Sequence, residues 1–469
     1  MTMKRAIWAA AIMATAVGAI SIASAQESVS RPNIVVFLAD DMGYKDFGAG
    51  RDRDIRTPNL DKLTTQGLTF DRAFVASPSC APSRAAMLTG FMPSRNGAEG
   101  NHEIPTQDVR KLPAYLQSLG YQVVAFGKVA HYRTTKMYGF DYFENDTFHN
   151  PDGVPSALRW LKARKDKRPL AIFVGSNWPH VPWPVETEGY DPAKIKLPPK
   201  SVDVPISYRA RARYYAAVTR MDQELGQTLE VVDSTLGKNT FVLFSSDHGE
   251  QWPFGKWNLY DTGTRVPMVV RWAGRVQPGT KTDAMVSWVD ILPTLVEVGG
   301  GKAPLEIDGR SFAPAFKSTA SFKGRSEVYT IHKSDLKMNV YPMRSVRTDR
   351  WKYIANLHPE WVFTTHVDLK PAKGDGGYFP AWRRAAQTDP KAKRIVDQYY
   401  RRPAEELYDL NADPDETRNL AADPQYAPVL EELRLKLSGW RTAQNDDRPV
   451  KHPPHLSEGQ IEGLPPGQP

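Results

Sequence analysis

The chain has 469 residues, 41% of them hydrophobic and 24% charged, with a formal charge of +8 and one cysteine. That length can bury a large core without covalent staples and suggests two domains, and the composition is that of an ordinary globular protein. A single cysteine excludes an internal disulfide, and the modest basic excess fits a polyanionic substrate and a solvated basic surface equally well.

The N-terminus, MTMKRAIWAAAIMATAVGAISIASAQ, has the layout of an export signal. Lys4 and Arg5 precede an Ala-rich apolar run, and Ala23-Ser24-Ala25 is a small-residue cleavage site, so residues 1–25 are expected to be removed. An uncleaved anchor is the alternative, because the run approaches spanning length. No later stretch is apolar enough to span. The mature chain is therefore expected to be exported, periplasmic or secreted, without stable membrane insertion and without a nucleic-acid partner.

Four apolar runs follow, and each ends in a chemically capable cluster. NIVVFLAD leads into Asp40 and Asp41. YQVVAFG leads to Lys128 and His131, LAIFVG to His180, and TFVLFSS to Asp247 and His248. Their length and weak alternation predict strands buried on both faces of a parallel sheet. Helices are predicted between them, over 60–67, 112–119 and 208–232, and the basic run 159–169 reads as a solvated helix face. Strand–helix alternation predicts an α/β fold, in which the active crevice lies beyond the carboxyl ends of the strands. The four clusters therefore point to one site.

Asp40, Asp41 and Asp247 brought together would repel unless a cation or proton intervened, and mostly oxygen ligands favour a hard ion such as Ca²⁺. The plainer alternative is that DDMG is a turn or helix cap. Cys80 opens a short predicted helix ending at Gly90, where a helix N-terminus suits a thiolate or an anionic ligand. Arg84 lies one turn on, facing the same side. Lys128 and Lys256 could charge an oxyanion site, and His131 and His180 could exchange protons.

After about residue 300 the texture changes. Residues 327–332, 344–347 and 351–357 read as antiparallel strands and 426–440 as an amphipathic helix, a smaller α+β domain. The expected division is a catalytic domain over 26–300, a C-terminal subdomain over 301–445 and a Pro/Gly-rich tail over 446–469.

The stretches RPNIVVFLADDMG and Cys80-Ala-Pro82-Ser-Arg84, followed by LTG, resemble the formylglycine-dependent type I sulfatases of the alkaline-phosphatase superfamily. The resemblance runs from Arg31 to about Trp440. It implies a large, mostly parallel sheet flanked by helices, with a C-terminal α+β domain carrying an antiparallel sheet. It also implies that a maturation enzyme reads C-x-P-x-R and oxidises Cys80 to formylglycine. One hydroxyl of the hydrated aldehyde would attack sulfur, and deprotonation of the other would expel sulfate. By position, Asp40, Asp41, Asp247, His248 and the modified Cys80 resemble the calcium ligands. Arg84 would hold the diol, Lys128 and Lys256 bind sulfate oxygens, His131 deprotonate the diol, and His180 assist the leaving group. Lys128-Val-Ala-His131 departs from the commoner K-x-H spacing, and His248 stands where Asn is commoner. The C-terminal half, with YPMRSVR and ELYDLNADPDETRNLAADP, is most similar to the heparan N-sulfatase subgroup, although Lys256 replaces its Arg. The implied partner is a sulfated oligo- or polysaccharide, of glycosaminoglycan or algal origin such as ulvan. His332 and Arg344 are the candidates for touching sugar. Two other readings are a phosphodiesterase or phosphonate monoester hydrolase of the same superfamily, and a non-catalytic glycan-binding protein.

Overall fold

A computed structural model describes residues 31–49, 54–369 and 377–454. The expected signal, 1–25, lies outside them. An eight-stranded sheet is the centre of the fold, with Asn33–Asp40 between Leu170–Pro179 and Thr240–Ser246, parallel to both. Gln122–Gly127 extends the parallel run on one side, while Met268–Trp272 pairs antiparallel on the other. The expected α/β architecture, with strands covered on both faces, is the one observed.

The central strand shows why its sequence hardly alternates. Val35, Phe37 and Ala39 join the apolar cluster on one face, which includes Tyr214, Val218, Met221 and Leu225 of the helix Pro205–Thr235. Ile34, Val36 and Leu38 join the cluster on the other, with Leu112, Leu116, Leu292 and Leu295. Both faces are dry, so every position from Ile34 to Ala39 is apolar. No described helix is long and apolar enough to cross a membrane.

The C-terminal sheet is antiparallel, in the order Glu327–Asp335, Asn339–Thr348, Trp351–Asn356, Glu405–Asp409. Its last strand is an addition to the three read from sequence. The helix Ala427–Ala443 lays Leu430, Leu433 and Leu437 against Val346, Tyr353 and Leu407. This sheet bonds back to the first layer: Ile331 N–H donates to the Ala76 carbonyl, and Asn101 bridges to Asp335. Asp335 thereby reaches the crevice from the second sheet.

Two sequence expectations change. The basic run is helical only as far as Ala163; Arg164 is extended, and beyond it Arg168 bonds Asp166 two residues back. The tail does not start free, because Asp446 is buried and takes both Arg344 and Arg441.

Close backbone approach fixes the strand end that carries Lys128. A Cβ on Gly175 would lie 2.1 Å from the Lys128 carbonyl oxygen, and one on Gly127 would lie 2.2 Å from the Gly175 carbonyl oxygen. Gly127 also has φ of +67°, which disfavours a side chain. Gly175→Ala is expected to destabilise the chain by about 1–3 kcal/mol through overpacking, read as a lower denaturant midpoint. An unchanged midpoint would mean that this junction yields freely.

Candidate active site

Four strands end at one place. Asp40 and Asp41 leave the central strand, Asp247 and His248 follow its neighbour, Lys128 follows Gly127, and His180 follows Pro179. Asp41 N–H donates to Asp247 Oδ1 at 3.1 Å, joining the first two ends directly. Asp41 does this at φ of +70°, an uncommon conformation for a residue with a side chain.

Cys80 begins the helix Cys80–Thr89, closed at Gly90 by a left-handed cap. The positive end of the helix dipole therefore points at its sulfur. Ser83 and Arg84 bind this helix to the strand ends. Ser83 Oγ donates to the Asp247 carbonyl at 2.6 Å, and Arg84 Nε donates to Asp247 Oδ2 at 2.8 Å. Arg84 also reaches Asp40 Oδ1 at 3.2 Å and the Lys128 carbonyl. Its guanidinium is 0% exposed, so its donors serve carboxylates and a carbonyl.

Asp40, Asp41, Cys80, Asp247 and His248 each offer a ligand atom, and these atoms all lie within 4.8 Å of one another. They are the five residues that the sequence grouped as a metal site. His248 Nδ1 donates to the Gly249 carbonyl at 2.9 Å, which leaves Nε2 as a lone-pair donor to the cluster. That Nε2 stands 3.3 Å from Cys80 Sγ and 3.3 Å from Asp41 Oδ1. Burial holds His248 neutral, with its pKa lowered to about 4. The donor set fits a hard divalent ion carrying one nitrogen ligand.

Two lysines cross the cluster. Lys128 Nζ is 2.5 Å from Asp40 Oδ2 and 3.4 Å from Cys80 Sγ, while Lys256 Nζ is 2.9 Å from both oxygens of Asp41. The two aspartates respond in opposite directions. Burial opposes ionisation of Asp40, but Lys128, His180 and Arg84 outweigh it and hold its carboxyl well below the usual range. Burial raises Asp41 to about 7, with Asp40 and Asp247 adding to the rise and Lys256 opposing it. Burial also pushes the Cys80 thiol up to about 12, so an unmodified Cys80 is a thiol at neutral pH and a weak nucleophile.

A cavity of about 470 Å³ opens over Cys80 and Lys256. His131 and His180 line it, and burial with nearby lysines lowers both pKa values well below the usual imidazole value. His180 Nδ1 donates to the Val181 carbonyl at 2.5 Å, so Nε2 is the atom able to exchange a proton.

The structure does not bring His332 and Arg344 to this cavity. Both are buried in the antiparallel sheet: His332 Nε2 bonds Asn339 Oδ1 at 2.5 Å, and Arg344 forms a paired contact with Asp446 at 2.5 and 2.6 Å. Their polar atoms are engaged inside the protein, so the expected contact with sugar falls to other residues. Those that line the cavity instead include Asn101, His102, Tyr132, Trp257, Asp335 and His366. Sequence offered little sign of them, since they come from loops and from the far sheet. The one usable signal was Asn101-His102 shortly after the cysteine helix.

The chain has relatives of known family. Residues 32–301 match the family profile described as Sulfatase, and residues 249–370 match that described as N-sulphoglucosamine sulphohydrolase, C-terminal. The chain is 32% identical to an ulvan-active sulfatase of Formosa agariphila, over 89% of this chain and 81% of the relative. It is 30% identical to the N-sulphoglucosamine sulphohydrolase of Homo sapiens, over 89% and 91%. Its fold is similar to that of a structure solved in complex with its substrate D-glucosamine-2-N,6-O-disulfate, with TM-score 0.68 and 18% identity, covering 90% of this chain and 100% of the other. The chain belongs to the sulfatase family and is a hydrolase of sulfate esters or sulfamates.

Proposed function

We propose that the protein removes sulfate groups from a sulfated carbohydrate, using a formylglycine made from Cys80 beside a calcium ion held by Asp40, Asp41, Asp247 and His248. The observation that carries this reading is the place of Cys80. The chain's lone cysteine stands at a helix N-terminus, 3.4 Å from Lys128 and 3.3 Å from His248, among three buried aspartates. Nothing there can pair with it as a disulfide, and its thiol is too weakly acidic to serve as a nucleophile.

When bound, the calcium ion would polarise the sulfate group and the hydrated aldehyde would supply the attacking oxygen. The chain's own residues do the rest. Arg84 fixes Asp40 and Asp247 in position beside residue 80, and through them the orientation of the diol. Lys128 and Lys256, held beside the carboxylates, bind sulfate oxygens and spread the charge that develops there. His131, kept neutral by burial, can take the proton from the diol, and His180 Nε2 exchanges one with the departing oxygen or nitrogen. Export as a signal-bearing precursor and oxidation by a formylglycine-generating enzyme are parts of the same reading.

The relatives named above act, by their descriptions, on ulvan and on N-sulfoglucosamine. Both are sulfated carbohydrates, and the two similarities are nearly equal, so the common class is the substrate we assign. Heparan N-sulfatase activity and O-desulfation of an algal polysaccharide are its two forms. Hydrolysis of a panel of N-sulfated and O-sulfated oligosaccharides by calcium-loaded protein separates them.

Two outcomes are expected. In active protein the tryptic peptide 73–84 should be lighter than its cysteine form by about 18 Da, and Cys80→Ala should lower turnover by on the order of 10³-fold or more. Undiminished turnover in that variant would end the formylglycine reading. Calcium uptake should displace the proton that Asp41 holds below about 7, while His248, at about 4, has none to lose. Titration calorimetry at pH 6 in buffers of different ionisation enthalpy should therefore show release of roughly one proton, fading above pH 8. Calcium affinity should weaken by up to about tenfold per pH unit below 7.

A further inference from the structure

The cavity wall carries one carboxylate that the metal cluster does not use. Asp335, the last residue of the strand Glu327–Asp335, lines the cavity beside His102, Trp257 and His366. Its Oδ2 accepts from Asn101 Nδ2 at 3.0 Å and from Trp257 Nε1 at 3.1 Å, with His366 Nδ1 at 3.8 Å. Its Oδ1 has His102 Nε2 at 3.4 Å. A carboxylate offers about four lone-pair sites, so Oδ1, with one partner at 3.4 Å, keeps acceptor capacity. The cage is built at some cost: His102 has φ of +71° and Trp257 has φ of +65°. Burial opposes ionisation of Asp335, but His102, His366 and Asn101 outweigh it and hold the carboxyl well below its usual range.

The surroundings make the charge of an incoming ring matter. Among the described residues that line the cavity, Lys256 is the only lysine or arginine, and under the proposed function the sulfate group takes its ammonium. His131 and His180 stay neutral at ordinary pH. A sugar carboxylate entering here would meet the Asp335 anion and no uncommitted guanidinium or ammonium. A ring bearing hydroxyls would meet a fixed acceptor.

We infer that Asp335 is the specificity-determining residue of the sugar subsite, accepting hydrogen bonds from hydroxyls of the sulfated ring and selecting a hexosamine or neutral sugar over a hexuronate. This rests on the sulfatase reading above and narrows it to one class of ring.

The test uses the full mature chain, co-expressed with a formylglycine-generating enzyme and loaded with calcium. Its substrates are an aryl sulfate, N-sulfated and 6-O-sulfated glucosamine, and a 2-O-sulfated hexuronate. The parent should favour a glucosamine sulfate over the hexuronate sulfate in kcat/KM by about 100-fold or more, because the hexuronate brings a second carboxylate up to Asp335. Asp335→Asn should shrink that ratio at least tenfold, mainly by raising KM for the glucosamine sulfate. Equal turnover of both rings by the parent, or an equal loss on both in the variant, would overturn the assignment and leave Asp335 a structural residue. Should the variant fail to fold, inhibition of the parent's aryl-sulfate hydrolysis decides: glucosamine should compete and glucuronate should not, and equal competition would overturn the inference. A parent that hydrolyses no sulfate at all fails the underlying reading instead, so the two failures are distinct.

Discussion

Three carboxylates and three fixed cations, packed where water does not reach, set the terms for the rest of the molecule. Asp40, Asp41 and Asp247 face Arg84, Lys128 and Lys256, and none of the six is more than 3% exposed. In such surroundings each charge is felt strongly and an unmatched one is costly. The formal charges cancel, yet the cancellation is uneven: cations hold Asp40 ionised, while Asp41, raised chiefly by burial, is crowded further by Asp40 and Asp247. Under the proposed function a divalent ion relieves that crowding and tips the whole cluster to positive. The lysines are then released from neutralising carboxylates to meeting an incoming anion.

The fold exists to make that crowding tolerable. Parallel strands end together, so side chains distant in sequence arrive at one level without long loops. The helix Cys80–Thr89 is pinned there by Ser83 and Arg84, and the Gly127–Gly175 junction sets the height of Lys128. Some backbone strain lies at the same level. Asp41, His102, Tyr132 and Trp257 all hold left-handed backbone, and each lies in the cluster or on the cavity wall. The dry two-faced core behind them supplies the stability that lets such conformations persist.

What could be read from sequence was what is local. Asp40-Asp41 and Asp247-His248 are neighbours at the ends of apolar runs, so strand periodicity placed them before any contact was known. Cys80, Pro82 and Arg84 share one helical turn. The cavity wall was a different matter. Asn101 and Asp335 are 234 positions apart and meet only because the antiparallel sheet docks on the catalytic layer. His332 and Arg344 show the converse. Their residue types suit sugar binding, but partners supplied by the fold, Asn339 and Asp446, engage them inside the protein. Asp446 itself sits where composition suggested a free tail. Residue type could not decide which neighbour a side chain would find.

The depth of the cysteine has a consequence for the order of events in the cell. Cys80 is 1% exposed, beneath a cavity walled by residues from both sheets. A second protein could not grip that backbone once the layers had closed. If the thiol is to become an aldehyde, the oxidation has to happen while the chain is still extended. Folding would then act as a deadline: a chain that closes too early would be sound, stable and permanently inert.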